Sequence, residues 1–239
     1  MHKIDEKLAN VTARLRRAAQ SVHRNSEDIT LIAVSKMQGA EKIREAYACG
    51  LRSFGENYLQ EALDKQTQLS ELSDIEWHFI GPIQSNKTRA IAEHFNWVHS
   101  VDRLKVARRL AEQRPEGLPA LNICLQVNVD AESSKAGVSL DELPVLAAEV
   151  AALPGLNLRG LMAIPAKSDN YDTQCRAFTE VRNALQQLRT QLPDVPLDTL
   201  SMGMSGDLEA AIASGATMVR IGTDLFGART PQTPSKDFS

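Results

Sequence analysis

Cysteine is scarce in this chain: Cys49, Cys124 and Cys175 are three in 239 residues, far apart, and in no CxxC or Cys/His ligand spacing. That pattern excludes a disulfide framework and a metal site, and it leaves the thiols as reduced packing residues, with a catalytic thiol the rarer alternative. No apolar run approaches the roughly 20 residues that a bilayer crossing needs. The N-terminal stretch MHKIDEKLANVTARLRRAAQ is charged and amphipathic where a secretory leader has an apolar centre. The expectation is a cytoplasmic protein with no membrane partner. Neither sign of charge dominates: 27 basic and 30 acidic side chains give a net charge of −3 without a run of like charge, so nucleic acid is not an expected partner.

What the chain does contain is a rhythm. Short β-branched or apolar runs recur: TLIAVS from Thr30, LRSFG from Leu51, IEWHFIG from Ile75, WVHSVD from Trp97, LNICLQVNV from Leu121, LNLRGLMAI around Asn157, LDTLSMG from Leu197 and TMVRIG from Thr217. Between them lie segments with apolar residues at helical spacing, such as Leu104, Ala107, Leu110 and Ala111, or Phe178, Val181, Leu185 and Leu188. One further helix, from about Ile4 to Val22, precedes the first strand.

Eight βα units in a chain near the ~250 residues typical of such folds predict a closed, parallel (β/α)8 TIM-type barrel with an extra N-terminal helix. The dinucleotide fingerprint of an open doubly wound sheet is missing. Pro/Gly punctuation, as in RPEGLPA and LPGLN, falls between elements without a linker, so residues 1–229 read as one barrel domain and 230–239 as a flexible tail.

The first strand ends in an unusual way. After the apolar run Leu31–Val34 come Ser35 and Lys36. Alternation along the strand puts Ile32, Val34 and Lys36 on one face and Leu31, Ala33 and Ser35 on the other. A lysine directed at the helical layer would bury its charge among apolar groups, so Lys36 is expected to point into the barrel mouth, where the chemistry of such folds gathers. A lysine that merely snorkels over the rim is the plain alternative. An enclosed amine loses its proton more readily and attacks aldehydes, so Schiff-base chemistry follows, with pyridoxal phosphate or a carbonyl substrate as the partner.

Barrel closure sets TMVRIGTDLFG beside Lys36. There Gly222 and Thr223 offer close backbone approach and a hydroxyl, as a phosphate cradle needs, although Gly-Thr is also an ordinary strand-to-helix turn. The preceding segment, SMGMSGDLEAAIASG, predicts a helix starting at Ser205 with Asp207 and Glu209 in its first turn, a second anion site. Arg220 shares the face of Gly222, and an inward arginine needs an acceptor: a protein carboxylate or the pyridine nitrogen of a cofactor. His78 reads as a hydrogen-bonded core histidine before it reads as a base, and Trp77 and Phe79 as packing against helices.

These stretches, AVSKMQ around Lys36, FGENYLQE from Phe54, WHFIGPIQSNK from Trp77, RGLMAIP from Arg159, SMGMSGDLEAAI from Ser201 and VRIGTDLFGAR from Val219, resemble the pyridoxal phosphate homeostasis protein family. Its members are single barrels similar to the N-terminal domain of alanine racemase, and the resemblance runs from the first helix to about Arg229. It implies that Lys36 is the Schiff-base lysine for pyridoxal 5'-phosphate (PLP). Ser205, Gly222 and Thr223 take phosphate-binding positions, Arg220 faces the pyridine nitrogen, and Asn57 lies beside the ring. The implied function is a carrier or buffer of PLP that maintains cofactor and amino-acid pools without a demonstrated reaction, with PLP-dependent apoenzymes as recipients. A monomer is expected over a stable oligomer, since the second domain through which alanine racemase pairs its subunits is not part of the resemblance. Lys135, in SSKAGV, is either a transit site or a solvated loop lysine.

The chain departs from the family where Lys-Thr-x-Pro is common: here Met37, Gln38 and Gly39 follow Lys36. A racemase of the alanine racemase type is the enzymatic alternative, and it requires a second acid/base group, which Tyr47, Tyr58 and Tyr171 do not supply at equivalent places. An aldolase on the same barrel would share the lysine and phosphate loops but not the inward arginine.

Overall fold

The computed structural model describes residues 3–130 and 136–227. Eight strands, β1 (Thr30–Val34), β2 (Ser53–Glu56), β3 (Glu76–Phe79), β4 (Trp97–Val101), β5 (Leu121–Val127), β6 (Leu156–Ala163), β7 (Thr199–Ser201) and β8 (Met218–Ile221), alternate with helices. The helices are α1 (Lys3–Ser21), α2 (Ala40–Ala48), α3 (Leu59–Gln68), α4 (Thr88–His94), α5 (Leu104–Gln113), α6 (Leu143–Ala151), α7 (Tyr171–Gln191), α8 (Leu208–Ala213) and α9 (Thr223–Phe226). All strand pairs are parallel, in the order β1 to β8, and β8 closes onto β1 with Ile32 opposite Arg220 and Ala33 opposite Ile221. The expected (β/α)8 barrel with an added N-terminal helix is what the chain forms. The expected tail, 230–239, and Lys135 lie outside the described residues.

Period-two alternation divides the strand residues between two layers. Ile32, Trp97, Cys124, Met162 and Met218 form a small apolar cluster of their own, on the inward face. Ala33, Phe54, Trp77, Phe79, Val98, Ile123, Leu161, Val219 and Ile221 belong to the larger core shared with the helices. Trp77 and Phe79 pack outward, as their positions in the sequence imply. Cys124 is buried and its thiol is pushed up to about 12 by desolvation, which makes it an inert packing group. Cys49 and Cys175 are also free, so no disulfide joins any of the three.

Helix α1 begins with Asp5 and Glu6 in its first turn, where carboxylates favour the helix dipole, and it buries Ile4, Val11, Leu15, Ala18 and Ala19. Its Arg14 reaches across to Glu209 of α8 in a bidentate pair (Nε–Oε1 2.5 Å, Nη2–Oε2 2.7 Å) and to Asp224 of α9 at 3.3 Å. The extra helix thus braces the two short helices that follow β7 and β8. Among the described residues, no helix is long and apolar enough to cross a membrane.

Candidate functional site

Strand β1 stops at Val34, two residues before Lys36, and the chain then turns. Gln38 N donates to Ser35 O at 3.0 Å, which places Lys36 and Met37 at the two central positions of a turn. Met37 has φ +60, a conformation that favours glycine or asparagine, so this turn is strained and has to be held from outside. Gln38 is buried and accepts from Lys42 Nζ at 2.8 Å.

Lys36 lines a small cavity together with Val34, Gln38, Gly222, Thr223 and Gly227. The β1–β8 closure is responsible: Val34 and Gly222 continue the register of Ile32 with Arg220, and a Cβ on Gly222 would lie 3.3 Å from Val34 O. Of the expected site residues, the structure therefore brings Lys36, Gly222 and Thr223 into one cavity. Asn57 and Ser205 are not in its lining. The expected helix start at Ser205 is corrected. Residues 205–207 form a turn and α8 begins at Leu208, because Asp207 Oδ1 takes the Met204 amide at 2.6 Å while Asp207 N bonds back to Met204 O.

Arg220 lies inside the barrel, 4% exposed, and its acceptor is not a carboxylate. Nη1 donates to Ser201 O at 2.6 Å and to Ser201 Oγ at 2.7 Å, and Nη2 donates to Ala163 O at 3.0 Å. Burial lowers its pKa to about 10, with Asp207 opposing, so the guanidinium stays charged at neutral pH. Three neutral oxygens from β6 and β7 hold a cation that is short of negative charge.

A polar chain starts from that cation. Ser201 Oγ lies 2.8 Å from His99 Nδ1, and His99 Nε2 lies 3.0 Å from His78 Nδ1. A guanidinium can only donate, so Ser201 accepts from Arg220 and gives its own proton to His99 Nδ1. His99 then carries its proton on Nε2 and donates to His78, whose Nε2 proton is left over. That atom is buried without a hydrogen-bond partner, with Glu76 Oε2 4.0 Å away. Desolvation lowers His78 to about 3, and it lowers His99 well below the ordinary imidazole range, with His78 and Arg220 contributing. Both rings are neutral at physiological pH and serve as hydrogen-bonding groups. The core reading of His78 holds, while His99 and Ser201 carry no motif that singles them out in the sequence.

Asn57 follows the tip of β2. Its Oδ1 is buried and accepts no hydrogen bond, which leaves an acceptor available to a group from outside the chain. Its backbone touches Gly81: a Cβ there would sit 2.1 Å from Asn57 O. The glycine of WHFIGPIQSNK is thus fixed by the close approach of the β2 and β3 tips, with Ser100 Oγ also bonded to Gly81 O at 2.5 Å. Gly81→Ala is expected to displace Asn57 and to cost roughly 2 kcal/mol by overpacking, measured as a fall in the urea midpoint.

Comparison with known proteins agrees with this fold. Residues 7–230 match the family model described as "Alanine racemase, N-terminal domain". The chain is 59% identical to a Pseudomonas aeruginosa protein named "Pyridoxal phosphate homeostasis protein", over 98% of this chain and 100% of that one. It is 52% identical to the Escherichia coli protein of the same name, over 96% and 98%. The structure of PipY from Synechococcus elongatus with PLP bound superposes with a TM-score of 0.83 at 40% identity, covering 94% of this chain and 100% of that one. Alanine racemase from Corynebacterium glutamicum, at 19% identity and a TM-score of 0.68 over 94% of this chain and 62% of that one, shares the fold. The chain belongs to the alanine racemase N-terminal domain family and, within it, to the pyridoxal phosphate homeostasis proteins.

Proposed function

We propose that this protein binds pyridoxal 5'-phosphate in the barrel mouth through Lys36 and acts in the cytoplasm, as a monomer, to hold and release the cofactor to PLP-dependent apoenzymes. One observation carries the reading. Lys36, Gly222 and Thr223 share one cavity, and Lys36 is the one titratable side chain in its lining among the described residues. A carrier needs a single amine, whereas a racemase needs two acid/base groups on opposite faces. The PLP-bound PipY structure, at 40% identity, supports the choice of ligand.

The residues present fit the group. When bound, PLP supplies an aldehyde that condenses with an amine and releases water. The Lys36 amine would make that attachment, and Val34 and Gln38 enclose it against the cavity wall. Gly222 and Thr223 would hold the phosphate by close backbone approach and a hydroxyl, with the Ser205 turn as a third contact. Arg220, fixed by Ser201 and Ala163, would face the pyridine nitrogen; a cation there opposes protonation of the ring and leaves it a weak electron sink. Asn57 Oδ1 has acceptor capacity for the ring substituents. His78 and His99 are held neutral and lack the second, acidic proton that a general acid would deliver at neutral pH.

The test is spectroscopic. Protein incubated with PLP should gain near-ultraviolet or visible absorbance, and borohydride reduction followed by peptide mapping should place the label on Lys36. Lys36→Ala should lose both and bind PLP at least about 100-fold more weakly, about 2.8 kcal/mol. A label on a different lysine, or unchanged binding by Lys36→Ala, would sink the assignment. Solvent deuterium entering the α-position of an amino acid, and stopping in Lys36→Ala, would replace the carrier with a racemase.

A further inference from the structure

The strained turn that carries Lys36 is gripped on both sides by one buried ion cluster. Lys65 of α3, 4% exposed, directs its ammonium group to Ser35 O (2.8 Å), Glu56 Oε1 (2.7 Å) and Glu61 Oε1 (2.6 Å), so each of its three protons has an acceptor. Glu56 Oε1 also accepts from Ser35 Oγ at 2.6 Å. Glu61 Oε1 accepts from the Met37 amide at 2.6 Å. The residues immediately before and after Lys36 are therefore tied to one ammonium group and its two carboxylates, Ser35 through its carbonyl and hydroxyl and Met37 through its amide.

The energetics argue that this cluster does something other than hold the barrel together. Glu56 and Lys65 are buried almost completely, and a buried ion pair is a poor source of net stability, because desolvation cancels most of the attraction. Burial pushes the Glu56 carboxyl up, against the pull of Lys65, and its Oε2 atom has no hydrogen-bond partner at all. What the cluster does supply is a charge-assisted bond to the Met37 amide, of the strength that offsets a left-handed methionine. It also supplies a donor to Ser35 O, beside the Gln38 amide that closes the turn. Strand and helix each contribute a part: Glu56 ends β2, and Glu61 and Lys65 are one helical turn apart on α3.

We infer that Lys65, Glu56 and Glu61 are positioning residues that lock the Ser35–Gln38 turn, aim the Lys36 amine at the barrel mouth and thereby slow the loss of the bound cofactor. The inference rests on the assignment of Lys36 above. Lys65 is not a second attachment site, because its ammonium group is fully engaged and enclosed. The segment after Lys36 lacks a stiffening proline, and contacts hold it instead: the Met37 amide by Glu61 of α3, and Gln38 by its main-chain bond to Ser35 O and by Lys42 of α2.

Glu61 gives the cleanest test, since its side chain is 27% exposed and its loss leaves Lys65 with Glu56 and Ser35. Glu61→Ala is expected to speed PLP dissociation about tenfold, equivalent to about 1.4 kcal/mol, with a change of only a few degrees in Tm. In the cofactor-free protein, hydrogen exchange at the Met37 amide should quicken by a similar factor. Glu61→Gln, whose amide oxygen still accepts from Met37, should return both values towards wild type, which a general loss of stability would not do. Lys65→Met should exceed Glu61→Ala in both readouts. Borohydride mapping of the wild-type complex comes first. A label away from Lys36 overturns the attachment and this inference together. A label on Lys36, with wild-type dissociation and wild-type Met37 exchange in Glu61→Ala, overturns the inference alone.

Discussion

Acidification from pH 7 to pH 5 is expected to destabilise this protein by roughly 3 kcal/mol, well before most carboxylates protonate, because two histidines are locked neutral inside the barrel. His78 and His99 are both fully buried, and His78 titrates at about 3 in the fold. In the unfolded chain each returns to about 6.5. Below that value the unfolded state binds protons that the folded state refuses, so stability is fully present above pH 6.5 and falls as the pH drops towards 3. Each histidine contributes a slope of up to about 1.4 kcal/mol per pH unit, and the two together up to about 2.7.

The geometry explains why the fold refuses the proton. His99 Nδ1 is needed as the acceptor of Ser201, and His78 Nδ1 as the acceptor of His99, so a proton on either nitrogen breaks the chain that seats Arg220. Glu56, whose pKa is raised, works in the opposite sense: its contribution is present at low pH and is lost as the pH rises through its elevated pKa, which softens the slope without reversing it. Urea midpoints measured at half-unit steps from pH 7 to 5 should fall steeply, and a His78→Gln, His99→Gln double variant should be nearly flat over the same range. A flat wild-type profile would mean that the two rings are hydrated or charged in the fold.

The second large effect is expected from Gly160→Ala. A Cβ on Gly160 would lie 1.8 Å from Thr199 O, a backbone atom that cannot swing aside. Gly160 faces Thr199 and Met162 faces Ser201 in the β6–β7 register, so the close approach at Gly160 sets how near Ser201 and Ala163 come to Arg220. A methyl group there has to lever β7, only three residues long, off the sheet. The expected cost is roughly 3 kcal/mol, which for a domain of this size lowers Tm by about 6–12 °C. Cofactor binding should weaken as well, since the seat of Arg220 widens. An unchanged Tm would show that the β6–β7 spacing is adjustable, and that the arginine is not held by the sheet.

These effects divide along the line of what could be read without coordinates. The barrel follows from eight βα repeats, and alternation along β1 puts Ile32 and Val34 on one face, because a period of two survives packing, whereas Lys36 comes after the strand has ended, in a turn whose cavity it shares with Val34. Closure puts β8 beside β1 whatever the helices do, so Arg220, Gly222 and Thr223 were assignable to the neighbourhood of Lys36 from spacing. The start of α8 was not: Ser205 looks like a helix cap, yet Asp207 captures the Met204 amide and the helix begins at Leu208, because either short polar side chain can cap and spacing alone does not rank them.

Arg220 shows the limit more sharply. Its inward direction is written in the strand, but its partners, Ser201, Ala163 and through them His99 and His78, come from β7, β6, β4 and β3 and meet only when the barrel closes. Lys65 shows it too. Glu61 and Lys65 at helical spacing describe an ordinary solvated pair on α3, and only the packing of α3 over the tips of β1 and β2 buries the lysine, turns it on Ser35 and brings Glu61 to the Met37 amide. The sequence alone determined the strand order, the strand faces and the position of Lys36 just past the end of β1, beside β8, because those depend on local periodicity and on one closure rule. The tertiary structure decided which groups hold that amine and that arginine in place, because buried polar groups take their partners from distant segments according to the last ångström of packing.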